Sequence, residues 1–292
     1  MKELSLLLKR EPSLREKGLL TMARRGMTRH GFKELEPMEV IKRAIESHGD
    51  SLTLGWSGGR CSTIVLHMAL QINPKIQVIF NNTGVEFPEN VKYVHEVTKT
   101  WNLNFKELKP KENFFRDIQP KYGFPQMRSK TFGKLTDKKR KLMKNCHDKR
   151  PMCCFLLKEK PRYRFYRAYA ITGDINGLRA CESRVRAIFI GQRGQIYSIK
   201  KPRPMMVYCP IALWSSPQCE VYIQENNIPF NETYKTQTRN GCWPCTAYKS
   251  WKENLLRYNP RMYRLVQNLQ GVQLLDNYQQ EWIPNQVPCE PA

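Results

Sequence analysis

Apolar and polar residues alternate along the middle of the chain in blocks that predict strands and helices in turn. The segments 52–56 and 105–108 predict short strands, and the strongly apolar run at 76–80 is typical of a strand buried on both faces of a sheet. Between them, residues 63–71 carry apolar positions at helical spacing, and Pro88 begins a second segment of that kind. Strands that alternate with helices predict a parallel sheet with crossover helices. The expected fold class is therefore α/β, with a Rossmann-like sheet.

The pattern is less regular toward the carboxyl end. We predict a helix over 154–166, a buried strand at 168–172 and another strand at 207–211, with an irregular basic segment at 196–206. Further helices are expected at 218–226, 247–258 and 260–270.

This pattern divides the chain into three parts. We expect a helical N-terminal extension over 1–49, an α/β domain over 50–272, and a flexible tail over 273–292 that is rich in Gln, Asn and Pro. A chain of 292 residues can bury such a core without disulfides. There is no apolar run long enough for a membrane span and no signal-peptide pattern, so the expected compartment is the cytoplasm.

The net charge adds a second class of partner. The chain has 49 Lys and Arg against 26 Asp and Glu, a net charge of +23. Residues 106–167 alone hold 20 Lys and Arg against 6 Asp and Glu, most densely between Lys138 and Lys144. Such a segment attracts polyanions, so tRNA or DNA is a candidate partner beside a phosphorylated small molecule. A solvated helix face is the alternative interpretation of its densest part.

Four of the ten cysteines form two pairs that suggest a metal centre. Cys153 and Cys154 are adjacent, and 87 residues separate Cys154 from Cys242, which forms a Cys-Trp-Pro-Cys motif with Cys245. Four thiolates can hold either a zinc ion or an iron–sulfur cluster. Adjacent cysteines favour the larger cluster, because neighbouring side chains diverge from a single small ion. Zinc and a role without metal remain open at this point.

Three motifs follow predicted strands and so meet at one edge of the sheet. Residues 54–63 read LGWSGGRCST, a Gly-rich turn that brings backbone N–H groups to a helix N-terminus, where anions bind. Residues 81–90 read NNTGVEFPEN, and their candidate nucleotide contacts are Asn82, Thr83 and Gly84. Residues 171–187 carry arginines suited to phosphate or sulfate, in the set Arg179, Glu182, Ser183, Arg184 and Arg186.

The order of these motifs, together with CCFLLKEKP, NIPFNETY and GCWPC, resembles the phosphoadenosine phosphosulfate (PAPS) reductase family over roughly residues 38–270. That family belongs to the adenine-nucleotide alpha-hydrolase-like group, whose Gly-rich turn is called a PP-loop. The resemblance implies a PP-loop made of Ser57, Gly58, Gly59, Arg60 and Ser62. It also implies that Arg179, Glu182 and Arg184 line the phosphate or sulfate end of an adenine nucleotide. The cysteine pairs resemble those of the adenylyl-sulfate (APS) reductase branch, which implies a [4Fe-4S] cluster on Cys153, Cys154, Cys242 and Cys245.

The chain departs from the family pattern at two places. The aspartate common in PP-loop pyrophosphatases is Cys61 here, and the Glu-Cys-Gly-x-His segment that carries the nucleophile of sulfonucleotide reductases is missing. The candidate nucleophiles are therefore Cys289 in the tail, Cys181 and Cys61. Each of these thiols reacts only where a nearby arginine lowers its pKa. Arg179 and Glu182 complete the candidate catalytic set.

Three functions are compatible with the sequence. The first, which the resemblance favours, is a sulfonucleotide reductase in which a cysteine attacks the sulfur of APS or PAPS and a thioredoxin-like donor releases sulfite. The second is ATP-dependent sulfur insertion into tRNA or DNA, which the net charge favours and Cys61 disfavours. The third is a cluster-bearing, nucleic-acid-binding accessory subunit without activity. In each case we expect a homo-oligomer.

Overall fold

A mixed sheet forms the centre of the fold. The computed structural model describes residues 10–125, 151–200, 203–248 and 250–275. Within these ranges the sheet has six strands in the order β3-β2-β1-β4-β6-β5, all parallel to their neighbours except β5, which is antiparallel to β6. The strands are β1 Leu52–Gly55, β2 Gln77–Asn81, β3 Phe105–Leu108, β4 Gly173–Ile175, β5 Ile196–Ile199 and β6 Met205–Tyr208. The predicted α/β class is confirmed.

Helices cover the sheet and extend beyond it. In the described ranges they are α1 Leu14–Arg29, α2 Pro37–His48, α3 Arg60–Ile72, α4 Pro88–Thr100, α5 Gln119–Tyr122, α6 Met152–Cys154, α7 Lys160–Ala168, α8 Arg184–Arg193, α9 Ser216–Glu225, α10 Thr233–Thr236, α11 Trp251–Tyr258 and α12 Pro260–Leu275. A π-helical turn, Phe155–Glu159, joins α6 to α7, and a 3-10 turn, Ala180–Glu182, precedes α8. Among the described residues, none of the helices has the length and apolarity needed to cross a bilayer.

The first two strands match their sequence patterns because they are buried on both faces. Leu52, Leu54, Val78 and Phe80 are at most 2% exposed and belong to one core with residues of α2, α3 and α4. A strand buried on both faces needs a continuous apolar run, and each of these runs is visible in the sequence.

Two of the later predictions were wrong. The strand expected at 168–172 is the end of α7 and a turn, in which Ala170 has a φ of 50° and Tyr169 is exposed. The real strand, β4, starts at Gly173 and includes a buried aspartate, Asp174, so its sequence lacks an apolar signature. The segment expected to be irregular, 196–206, contains β5, an edge strand whose partner β6 supplies the pairing that its sequence does not reveal.

The N-terminal helix α1 packs closely against α8. Gly26 of α1 faces Gly191 of α8, and a Cβ on Gly26 would lie 2.7 Å from the Gly191 Cα. Ala23 and Met27 of α1 are buried in the same cluster as Ala187 and Ile190 of α8. The two backbones approach this closely because neither residue at the crossing has a side chain.

We predict that Gly26→Ala destabilises the protein by about 1–3 kcal/mol, because the new methyl group overpacks the helix crossing against backbone atoms. The matched control is Gly18→Ala on the same helix, where a Cβ would meet no atom within 4 Å. The control should gain up to about 1 kcal/mol from helix propensity alone. Urea unfolding measures both, and equal stability of the two variants would contradict a close contact between α1 and α8.

Candidate functional site

The turn between β1 and α3 has the form of an anion-binding loop. The backbone N–H of Ser57 donates to the Ser62 hydroxyl at 3.2 Å, and the two serine hydroxyls lie 3.0 Å apart. Gly58 has a φ of 73°, and a Cβ there would lie 2.3 Å from the Asn90 Oδ1. Glycine is therefore required at this position, both for its backbone conformation and for space.

Three asparagine side chains hold this turn, and we call them the asparagine clamp. The amides of Asn90 and Asn240 donate to the Ser57 carbonyl at 3.2 and 2.9 Å, and the amide of Asn231 donates to the Gly58 carbonyl at 2.8 Å. Asn231 and Asn240 also donate to the Asn90 Oδ1, at 2.8 and 2.7 Å. The clamp occupies the carbonyl oxygens of Ser57 and Gly58, which keeps these acceptors away from the anion site at the N-terminus of α3.

A cavity of about 1000 Å³ opens at the N-terminus of α3, and we call it the anion cavity. Gly59, Arg60, Cys61 and Ser62 line it on one side. The cationic side chains around it are Arg15, Arg60, Arg179, Arg186 and Arg239, and the carboxylates are Glu182 and Glu220. The excess of arginine and the helix N-terminus both favour an anionic ligand.

Arg179 and Glu182 lie at the base of the anion cavity. Arg179 is 8% exposed, and its Nε lies 3.8 Å from the Glu182 Oε1. Glu182 also forms an ion pair with Arg186, which lines the cavity. Arg184, which the sequence analysis placed with them, is exposed at the start of α8 and is not among the residues that line this cavity. Successive side chains of a helix point in different directions, so Arg186 of α8 faces the cavity and Arg184 does not.

The three candidate nucleophiles have different environments. Cys61 lines the anion cavity, and a hydrogen bond from Cys219, aided by the charges of Arg179 and Arg60, lowers the pKa of the Cys61 thiol to about 6. Cys181 is buried and donates to the Trp214 carbonyl at 3.3 Å. Burial raises the pKa of Cys181 to about 11. Cys289 lies outside the described residues.

A second cavity, of about 490 Å³, adjoins the first and shares Gly55, Ser57, Asn176 and Asn240 with it. We call it the aromatic cavity, because its walls include Trp56, Phe80, Tyr163, Tyr166, Phe189 and Tyr197.

A buried ion pair lies in the wall of the aromatic cavity. Arg162 donates to both carboxylate oxygens of Asp174, at 2.7 and 2.8 Å, and Tyr166 donates to the same carboxylate at 2.9 Å. Gly55 leaves room for this pair, since a Cβ there would lie 2.3 Å from the guanidinium of Arg162. The pair fixes α7 against β4, because a buried carboxylate without its partner is costly.

The four predicted metal ligands come together from two segments. Cys153 and Cys154 are in α6, and Cys242 and Cys245 are in the loop that follows α10. That loop is fastened to the segment after β2 by a β-bridge between Glu86 and Cys242 and by a backbone hydrogen bond from Trp243 to Val85. Cys153, Cys154 and Cys242 pack in one apolar cluster, and the Cys245 backbone N–H donates to the Cys242 carbonyl at 3.2 Å. The neighbouring thiols and burial raise the pKa of Cys153.

The four thiols form a donor set that zinc and iron–sulfur clusters both use. In the described ranges no group of three or more His, Cys, Asp or Glu side chains is placed to hold one metal ion. An iron–sulfur cluster binds each thiolate at a different iron, so its ligands need not converge on one point. Apolar residues surround the cysteines, including Leu157, Leu255 and Val266, and such a setting protects a cluster from solvent.

Lys158 connects the cysteines with the aromatic cavity and was missed by the sequence analysis. Its Nζ lies 3.3 Å from the Glu86 Oε1, and its side chain lines the aromatic cavity. Burial acts to lower the pKa of Lys158, but the charges of Cys242 and Glu86 outweigh burial and raise it. The available signal was its spacing, since Lys158 follows Cys154 by four residues and so lies on the same helical face.

The residues that follow β2 support the loop beside the cysteines. Asn82 accepts from the backbone N–H of Gly84 at 3.0 Å and donates to Glu107 at 2.6 Å. Thr83 is buried, with its hydroxyl 3.5 Å from the Cys242 Sγ. Asn82, Thr83 and Gly84 are not among the residues that line the anion or the aromatic cavity. Their contacts shape the loop beside the cysteines.

Comparison with known proteins gives a consistent result. The model of the phosphoadenosine phosphosulfate reductase domain family matches residues 51–248. The phosphoadenosine 5'-phosphosulfate reductase of Gloeobacter violaceus is 27% identical over 223 residues, which cover 74% of this chain and 80% of that protein. The adenosine 5'-phosphosulfate reductase of Staphylococcus haemolyticus is 25% identical over 212 residues, with 72% and 76% covered. The crystal structure of phosphoadenylyl-sulfate reductase from Candida auris shares the fold, with a TM-score of 0.52, 21% identity, and 72% of this chain and 89% of that chain covered.

We predict that Cys61 is alkylated by iodoacetamide with a midpoint near pH 6, because its pKa is lowered to about 6. Thiolate is the reactive form, so the rate rises with pH, reaches half its maximum at this midpoint and levels off well above it. Peptide mass spectrometry separates Cys61 from Cys181, whose raised pKa keeps it unreactive at neutral pH. Arg179→Met should move the Cys61 midpoint upward. A midpoint at the ordinary thiol value of about 8.5 in the unmodified chain would contradict this environment.

Proposed function

Because the chain belongs to the phosphoadenosine phosphosulfate reductase domain family, we propose that it binds an adenosine phosphosulfate and reduces it to sulfite with thiols. The observation that carries the proposal is the anion cavity, where the N-terminus of α3 and the arginines surround Cys61, a thiol whose pKa is lowered by its neighbours. The relatives named above are reductases of APS and of PAPS, so either sulfonucleotide is a candidate substrate.

The two cavities fit the two ends of such a nucleotide. In the proposed complex, the phosphosulfate binds in the anion cavity, where backbone N–H groups of α3, Arg179 and Arg186 donate to its oxygens. The adenosine binds in the aromatic cavity, whose rings offer stacking surfaces. Both cavities border on Ser57, so a single ligand can occupy the two.

The side chains of the anion cavity have distinct tasks in this reaction. Arg179 and Arg186 stabilise the negative charge that accumulates on the leaving phosphate, which is electrostatic stabilisation of the transition state. Glu182 holds both guanidinium groups in position through its ion pairs. The asparagine clamp keeps the turn rigid, so that its N–H donors need no rearrangement when the substrate binds.

We further propose that Cys153, Cys154, Cys242 and Cys245 hold a [4Fe-4S] cluster. When bound, the cluster supplies a fixed charge beside the nucleotide cavities and does not exchange electrons with the substrate. Lys158 lies between Cys242 and the aromatic cavity, so its ammonium group faces both the thiolates and the nucleotide. A thioredoxin-like dithiol is the proposed electron donor.

We predict that anaerobically purified protein contains about four irons and four sulfides per chain. With a dithiol reductant it should release sulfite from APS or from PAPS. Iron and sulfide analysis and a sulfite assay check this, and Cys242→Ala should lose the cluster. Absence of sulfite from both nucleotides, with the cluster present, would refute the reductase proposal. ATP turnover that requires added tRNA or DNA would favour sulfur insertion instead.

We predict that Arg186→Met lowers kcat/KM for the sulfonucleotide by about 10- to 100-fold, since a hydrogen bond to a charged group contributes about 1.5–3 kcal/mol. Arg184→Met is the matched comparison two residues away on the same helix. We expect it to change kcat/KM less than about twofold, because Arg184 is exposed outside the anion cavity. A larger loss for Arg184→Met than for Arg186→Met would show that the substrate is bound through the other face of α8.

A further inference from the structure

Three cysteines outside the predicted cluster site surround Arg179. Cys61 is the second residue of α3, Cys181 lies in the turn before α8, and Cys219 is in α9. Cys61 and Cys219 both line the anion cavity, whereas Cys181 is not among its lining residues and donates to the Trp214 carbonyl at 3.3 Å. The thiols that face the proposed phosphosulfate are therefore Cys61 and Cys219.

Cys61 and Cys219 lie on α3 and α9, two helices that pack against each other. Both residues belong to one apolar cluster, and both line the anion cavity. The interaction between the two thiols lowers the pKa of Cys61 and raises the pKa of Cys219. Cys61 is therefore the thiol of the pair that ionises first.

The positively charged side chains around Cys61 outnumber the carboxylates that pair with them. Arg179 is 8% exposed, and among the described residues its Nε has no hydrogen-bond acceptor. The carboxylate in reach is Glu182, 3.8 Å from both the Arg179 Nε and the Cys61 Sγ, and it also pairs with Arg186. An anionic group bound next to the Cys61 sulfur would complete this charge arrangement.

We propose that Cys61 is the nucleophile that accepts the sulfonate group and that Cys219 is the thiol that resolves the resulting adduct. This inference rests on the proposed function and assigns its chemistry to two residues within the described fold. It makes the first half of the reduction intramolecular, so the external donor acts only after sulfite has left.

The bonds and electrons of the two steps balance. In the first, the Cys61 thiolate attacks the sulfur of the sulfonucleotide, an S–S bond forms, and the S–O bond to phosphate breaks with its electron pair leaving on the phosphate of the adenine nucleotide. In the second, the Cys219 sulfur attacks the Cys61 sulfur, and sulfite leaves with the electron pair and takes the Cys219 proton. The two thiols lose two electrons and become a disulfide, and the substrate sulfur gains them. An external dithiol then reduces the disulfide.

The test is a single turnover of the anaerobic holoprotein, first reduced and then freed of reductant, with APS and with PAPS. We expect one sulfite per competent chain and a Cys61–Cys219 disulfide in the peptide map. Cys219→Ser should release no sulfite and retain a sulfonate on Cys61 until a dithiol is added. Cys61→Ser should form neither adduct nor disulfide.

The matched control is Cys209→Ala, which removes a buried thiol that donates to Asn176 instead of to another cysteine. It should still release one sulfite per competent chain without added reductant. Iron content and urea unfolding show whether each variant is folded, and the disulfide map of the unsubstituted protein tests the pair without any variant.

Two results would overturn the inference in different ways. A sulfonate adduct on Cys289 or another cysteine, or a Cys61→Ser protein that still yields an adduct, would refute the roles of Cys61 and Cys219 while the reductase function stands. No adduct and no sulfite from either nucleotide, in protein that contains its cluster, would refute the proposed function and this inference with it.

Discussion

The candidate site depends on three amide side chains that hold one backbone turn. Asn90, Asn231 and Asn240 come from segments far apart in the chain, yet all three donate to the carbonyls of Ser57 and Gly58 or to each other. A turn that contains two glycines has much conformational freedom to lose, and local sequence alone would not fix it. Because the clamp binds the carbonyls, the same turn that closes β1 onto α3 also directs its donors toward the cavity. The three asparagines therefore stabilise both the fold and the candidate site.

Sequence reasoning worked where structure follows from local pattern. The strands β1 and β2 are buried on both faces, so their apolar patterns are visible in the sequence, and Pro88 marks the start of α4 as expected. Sequence reasoning failed where a strand depends on residues that are distant in the chain. The sequence of β4 shows no apolar pattern because it contains Asp174. The buried carboxylate of Asp174 is stabilised by hydrogen bonds from Arg162 and Tyr166 of α7. The edge strand β5 exists because β6 pairs with it.

The same distinction applies to the candidate site. The Gly-rich turn and the arginine motif could be found from residue types, and the structure places both around one cavity. Which arginine faces inward could not be found, because it depends on the residue at which α8 starts, and the cap at Ser183 turns Arg186 rather than Arg184 to the cavity. That Cys61 and Cys219 line the same cavity was equally hidden, since 157 residues lie between them. The packing of α3 on α9 brings the two residues to this cavity.

The crossing of α1 over α8 gives the N-terminal helix a part in the site. Arg15 lines the anion cavity, and the neighbouring Glu16 accepts from the backbone N–H and hydroxyl of Ser216 at 3.1 and 2.6 Å, at the start of α9. The family match begins at residue 51, downstream of this helix. One wall of the cavity is thus built from sequence that the shared domain does not specify. Relatives with the same domain and a different leading helix would present a different charge at the cavity mouth, so this helix is a place where evolution can alter ligand preference without changing the catalytic core.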